Sequence, residues 1–171
     1  MSSLAFWAAV ALAGIVIGLL RRGRVERLLD LPLRGGWVLL VLVAIDLVVL
    51  PRLVGIAIVE PALVWITFGV SAGLMLLALV NWTVLRPLPA WLLGLGLNAT
   101  YLLANGGRGA IVRPAAFASS DALIALPEQV ALPLLSAWIP LPPDGWISPG
   151  DLVLALAAVV TIQAAMRRQA A

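Results

Sequence analysis

Histidine, cysteine and lysine are all missing from this chain of 171 residues. Without the first two there is no imidazole to ligate a haem or chlorophyll, no thiolate metal site and no disulfide. Ser–His and Ser–Lys hydrolysis and Schiff-base chemistry go with them. Charge is scarce as well, at 11% of residues, against about 25% in a soluble domain. Eleven arginines face 8 acids, so the net charge of +3 comes from few groups rather than from a basic face. The arginines are scattered between apolar runs, which argues against nucleic-acid binding. Arginine at every basic position points to a GC-rich bacterial source.

What fills the chain instead is apolar. Hydrophobic residues make up 63% of it and the mean hydropathy is +1.12. That is too much for a water-soluble domain, and the length suits a single membrane domain. The expected fold class is therefore all-α, a polytopic membrane helix bundle. Hydropathy with Pro, Gly and charge as punctuation predicts five transmembrane helices, near 4–20, 37–59, 61–80, 89–105 and 149–166, each close to the roughly 20 residues a bilayer requires. The first reads as a retained span: it is long for a signal-peptide core, has no basic residue before it and shows no convincing cleavage site.

Orientation follows from the arginines. Arg21, Arg22, Arg24, Arg27, Arg34, Arg86, Arg167 and Arg168 fall on one side of a five-span chain, and Arg52, Arg108 and Arg113 on the other. The positive-inside rule then puts the N-terminus outside and the C-terminus in the cytoplasm. Between the fourth and fifth helices, residues 106–148 form a long outer segment that is largely apolar yet cut by Pro127, Pro133 and Pro140. Each proline removes a backbone donor, so the segment cannot span and is expected as short helices on the outer face. Ser120 before Asp121 would cap the first of them. Exposed apolar residues there, Leu126, Leu132, Leu134, Leu135 and Trp138, are candidate partner contacts.

Few side chains offer chemistry. Asp46 is the one acid deep in a predicted span, where a charge is costly and ionisable groups are candidates for function. It reads either as a neutral packing group or as a titrating one. Asn98, Tyr101 and Asn105 fall on one stripe of the fourth helix. They read either as partners of Asp46 in an intramembrane polar site or as ordinary helix-to-helix and helix-to-backbone hydrogen bonds. Asn105-Gly106-Gly107 also has the form of a helix C-cap. Arg52, Arg108 and Arg113 are candidate lipid headgroup contacts at the outer face. Ser148-Pro149-Gly150-Asp151 has capping-box spacing, and Gly14/Gly18 and Gly69/Gly73 have the GxxxG spacing of close helix contacts.

RGRVERLLDLPLRGGWVLL after the first span, NGGR after the fourth and LLSAWIPLPPDGWISPGDLVLALAAVV into the fifth together resemble domain-of-unknown-function family 5317. This is a small polytopic membrane protein family of bacteria. The resemblance runs nearly the whole length, although members continue NGG with a methionine–proline step where this chain reads NGGRGAIVRP. It implies an integral protein of the bacterial cytoplasmic (inner) membrane and assigns no activity.

Two functions fit these residues. One is a non-catalytic accessory or scaffold subunit of a larger membrane complex, with membrane lipids and other membrane subunits as partners and no cofactor. The alternative is a carrier for a small solute, ion or lipid built around Asp46, Asn98 and Tyr101, although no inverted repeat is visible. An intramembrane aspartyl hydrolase would need a second acid at depth, so an enzyme is not expected.

Overall fold

The computed structural model describes residues 3–45, 60–106, 111–112, 124–125, 130–141 and 145–167. Most of it is helical. The helices are α1 (Ser3–Leu20), the single turn α2 (Glu26–Leu29), α3 (Gly36–Ala44), α4 (Glu60–Val80), α5 (Leu88–Ala104) and α6 (Pro149–Arg167). Four of them, α1, α4, α5 and α6, begin and end within one residue of the expected positions. Residues 62–80 and α6 are long and apolar enough to cross a membrane, with mean hydropathies of 2.3 and 1.6. The apolar stretches Ala5–Leu20 and Leu88–Ala104 are somewhat shorter. At 1.5 Å per residue, a 17-residue helix such as α5 still measures about 26 Å.

The helices lie in the order α1, α6, α5, α4, α3, so the last helix is inserted between the first and the fifth. Glycines set how closely they approach. A Cβ on Gly14 would lie 2.9 Å from Ile162 Cδ1, and Gly18 packs on Met166 one turn further along both helices. The paired rungs make α1 and α6 parallel. On its other side α6 meets α5 backbone to backbone: a Cβ on Gly94 would lie 3.0 Å from the carbonyl oxygen of Gly150, and the reverse distance is also 3.0 Å. Trp91 further down α5 donates its indole N–H to Thr161 at 2.9 Å, which fixes this pair as antiparallel. Gly73 abuts Leu42 of α3, whereas Gly69 meets nothing within 4 Å among the described residues. The expected glycine contact is therefore made in full by Gly14/Gly18 and only by Gly73 in the second pair.

The segment between α5 and α6 differs from expectation. Where short helices were expected, the described parts hold two small sheets and one 3-10 turn. β1 (Ile111–Val112) pairs in parallel with β2 (Ile124–Ala125), and β3 (Ile139–Leu141) pairs antiparallel with β4 (Gly145–Ile147). The 3-10 turn is Pro133–Leu135. Proline explains the change: Pro140 sits within β3, where an edge strand tolerates it and a helix interior does not. Ser120, Asp121 and Leu126 lie outside the described residues, as do Asp46, Arg52, Arg108 and Arg113.

Candidate functional site

Asn98 is the centre of the polar structure at one end of the bundle. Its position on α5 brings it against the first turn of α6, because glycine at 150 leaves room that a Cβ would take; such a Cβ would collide with Asn98 Oδ1. The expected capping box is present. The Asp151 N–H donates to Ser148 Oγ and the Ser148 N–H donates to Asp151 Oδ2, both at 3.0 Å. Asn98 closes the ring from the neighbouring helix. Its Nδ2 donates to Asp151 Oδ1 at 2.8 Å, and its Oδ1 accepts the Ser148 hydroxyl at 2.8 Å. The Ser148 proton is thus aimed at an amide oxygen, which is no base. Asp151 in the first turn also sits favourably with the α6 dipole. The arrangement locks two helices together.

Tyr101 and Asn105 continue the stripe upward. Tyr101 is buried and packs against Val130, with Leu102 and Leu135 around the pair. Asn105, one residue past α5, donates from Nδ2 to the carbonyls of Tyr101 and Ala131, each at 2.9 Å, and accepts the Ala131 N–H on Oδ1 at 3.0 Å. Its amide therefore pairs with Ala131 as a neighbouring strand would. Gly106 then takes the left-handed conformation, φ +67°, that the C-cap reading requires. Residues 130–138 present one face inward and one outward. Val130 and Ser136 are buried and Leu135 half-buried, while Leu132, Leu134 and Trp138 are 46%, 78% and 42% exposed. The Trp138 indole N–H donates to the Leu134 carbonyl at 2.9 Å, which orders the outward face.

The opposite end carries a device that sequence reasoning missed. Asn81, one residue past α4, donates to the carbonyls of Leu77 and Arg34, each at 2.9 Å, and accepts the Arg34 N–H at 2.7 Å. Its signal in the sequence was the same as that of Asn105, an asparagine directly after an apolar helix. Around it Arg21 donates to Gln163 Oε1 at 2.8 Å, Arg27 to the Met166 carbonyl at 3.3 Å, and Thr161 to the Arg86 carbonyl at 2.8 Å. Every arginine among the described residues, Arg21, Arg22, Arg24, Arg27, Arg34, Arg86 and Arg167, lies at this end.

The stripe residues Asn98, Tyr101 and Asn105 are thus brought to one end of α5, but each is joined to α6 or to residues 130–131 ahead of it. No group of three or more acidic side chains among the described residues could hold a metal ion. Compared with family models, with curated proteins and with solved structures, the chain finds no match.

Proposed function

We propose that this chain is a non-catalytic, multi-pass protein of a bacterial cytoplasmic membrane that serves as an accessory or scaffold subunit of a larger membrane assembly. It crosses five times, N-terminus outside and C-terminus in the cytoplasm, in keeping with its resemblance to a polytopic bacterial family. The observation that carries the reading is the commitment of the polar stripe to internal hydrogen bonds. Asn98 spends both amide atoms on the α6 cap and Asn105 spends both on Ala131. A carrier needs such groups free to exchange a solute, and Asn98, named for that alternative, is held in the α6 cap. Gathering seven arginines at one end supports the orientation. Exposed Leu12, Leu76 and Leu156 on three helices support contact with lipid.

The partner surface of this reading is the outward face of Leu132, Leu134 and Trp138, held in place from behind by Asn105 and Leu135. Leucine and tryptophan anchors buried in a protein contact typically cost more than about 1 kcal/mol each when truncated. Native mass spectrometry after gentle detergent extraction is the test. The expected result is an assembly heavier than the 18.0 kDa chain, from which the double variant Leu134→Ala with Trp138→Ala is released while keeping its helical content. A monomer in every mild detergent, or a double variant that keeps all its partners, would overturn the subunit reading.

A further inference from the structure

The link between α1 and α3, which includes α2, contains a conformational outlier. α1 ends in a Schellman motif: the Gly23 N–H donates to the Gly18 carbonyl and the Arg22 N–H to the Leu19 carbonyl, both at 2.8 Å. The left-handed position of that motif favours glycine, yet it holds Arg22, at φ +62°. Glycine stands one residue later for a different reason, since a Cβ on Gly23 would lie 2.7 Å from Met166 Cβ. A side chain kept in a disfavoured backbone conformation is a pointer to function.

The arginines of this link divide into two groups. Arg21 and Arg27 are fastened to α6, through Gln163 and the Met166 carbonyl, and the Arg24 N–H donates to that same carbonyl at 3.0 Å. These bonds hold the link across the end of α6. The side chains of Arg22, Arg24 and Arg34 are left exposed. Among the described residues the Arg24 side chain meets only Glu26, at 3.5 Å with both groups largely in solvent, which is worth little. Glu26 and Asp30 are the only acids on the link, against five arginines. Beside these cations Leu29 and Trp37 are 88% and 74% exposed, and Trp82 after α4 is 63% exposed. Bare cations spread along one end of a bundle, next to a bare leucine and two bare indoles, match the layered chemistry of a membrane interface: phosphates above, acyl chains below.

We propose that Arg22, Arg24 and Arg34 form a docking surface for the headgroups of anionic phospholipids, with Leu29, Trp37 and Trp82 entering the acyl boundary beside them. The proposal rests on the membrane reading above but not on the subunit role. Cations tethered to the ends of different helices suit an array of lipid phosphates better than one small anion. Arg22 occupies the costly position because it carries a guanidinium outward from the point where α1 leaves the membrane.

The test uses the purified full-length protein in detergent, with binding of short-chain phosphatidylglycerol and phosphatidylcholine measured by native mass spectrometry. Wild type should prefer phosphatidylglycerol, and each arginine removed should weaken that preference about fivefold. Arg22→Gly is the informative single variant, because glycine suits the left-handed position and the fold is kept. The triple variant Arg22→Gln, Arg24→Gln, Arg34→Gln should lose nearly all of the preference, while Leu134→Ala with Trp138→Ala should not change it. Equal binding of the two lipids by wild type, or an unchanged preference in the triple variant, overturns the proposal. So does displacement of the lipid by millimolar inorganic phosphate, which would make this a small-anion site.

Discussion

Asn81 and Asn105 end α4 and α5, at opposite ends of the bundle, with the same three hydrogen bonds. Each donates to the carbonyl four residues back, and each pairs through its amide with both backbone groups of one distant residue, Arg34 or Ala131. Their surroundings differ. Asn81 is 4% exposed beneath the arginine link, whereas the Asn105 contact with Ala131 is open to solvent. An identical device is thus used once in a part-buried place and once in an exposed one. The unmade bond costs more where water cannot replace it, so the arginine end is the more rigidly fixed and the Asn105 end the more easily loosened.

The largest effect is expected at the seam that links the two ends. Gly150→Ala forces a Cβ into Asn98 Oδ1 and towards the Gly94 backbone, neither of which can yield easily. A loss of about 3 kcal/mol is expected, seen as a collapse of thermal stability in detergent. A stability within error of wild type would show that α5 and α6 are not held this closely.

Asn81→Ala comes next, at about 2 kcal/mol, because it strands the Arg34 N–H and carbonyl in a part-buried place. Asn105→Ala should cost about 1 kcal/mol, since water can reach Ala131. Equal costs, by thermal shift or denaturant titration in the same detergent, would break the comparison. The two should also add to within about 0.5 kcal/mol in the double variant, as distant sites do.

The smallest effect has the opposite sign. Arg22→Gly removes a left-handed arginine, a strain of about 1–2 kcal/mol, but adds the backbone entropy of glycine, about 0.5–1 kcal/mol. A net gain of about 0.5 kcal/mol is expected, as a slightly raised melting temperature. A fall would mean that the Arg22 side chain stabilises the fold itself.

What could be read from the sequence was local. Helix limits followed from hydropathy and proline, the Ser148–Asp151 box from three-residue spacing, and the left-handed Gly106 from its place after an apolar helix. What could not be read was which faces meet. The helices are apolar nearly all round, so no stripe tells that α6 slots between α1 and α5. Asn98 could be placed on a stripe with Tyr101 and Asn105, but its partner Asp151 is fifty-three residues away in sequence. The β3–β4 pairing was missed for a similar reason: Ile139–Leu141 is an apolar proline-bearing run, and nothing in it names Gly145–Ile147 as its partner.

The two clamps hold different surfaces, the exposed arginines beside Asn81 and the apolar face of Leu132, Leu134 and Trp138 beside Asn105. The most direct measurement breaks each clamp and reads both surfaces. Partner retention and phosphatidylglycerol preference would be measured by native mass spectrometry on Asn81→Ala and Asn105→Ala. The account predicts that Asn105→Ala loses its partner about fivefold more readily, the equivalent of about 1 kcal/mol, with lipid preference intact. It predicts that Asn81→Ala keeps the partner and loses part of the lipid preference as Arg34 is released. A partner bound unchanged by Asn105→Ala, or both properties lost together in either variant, would contradict it.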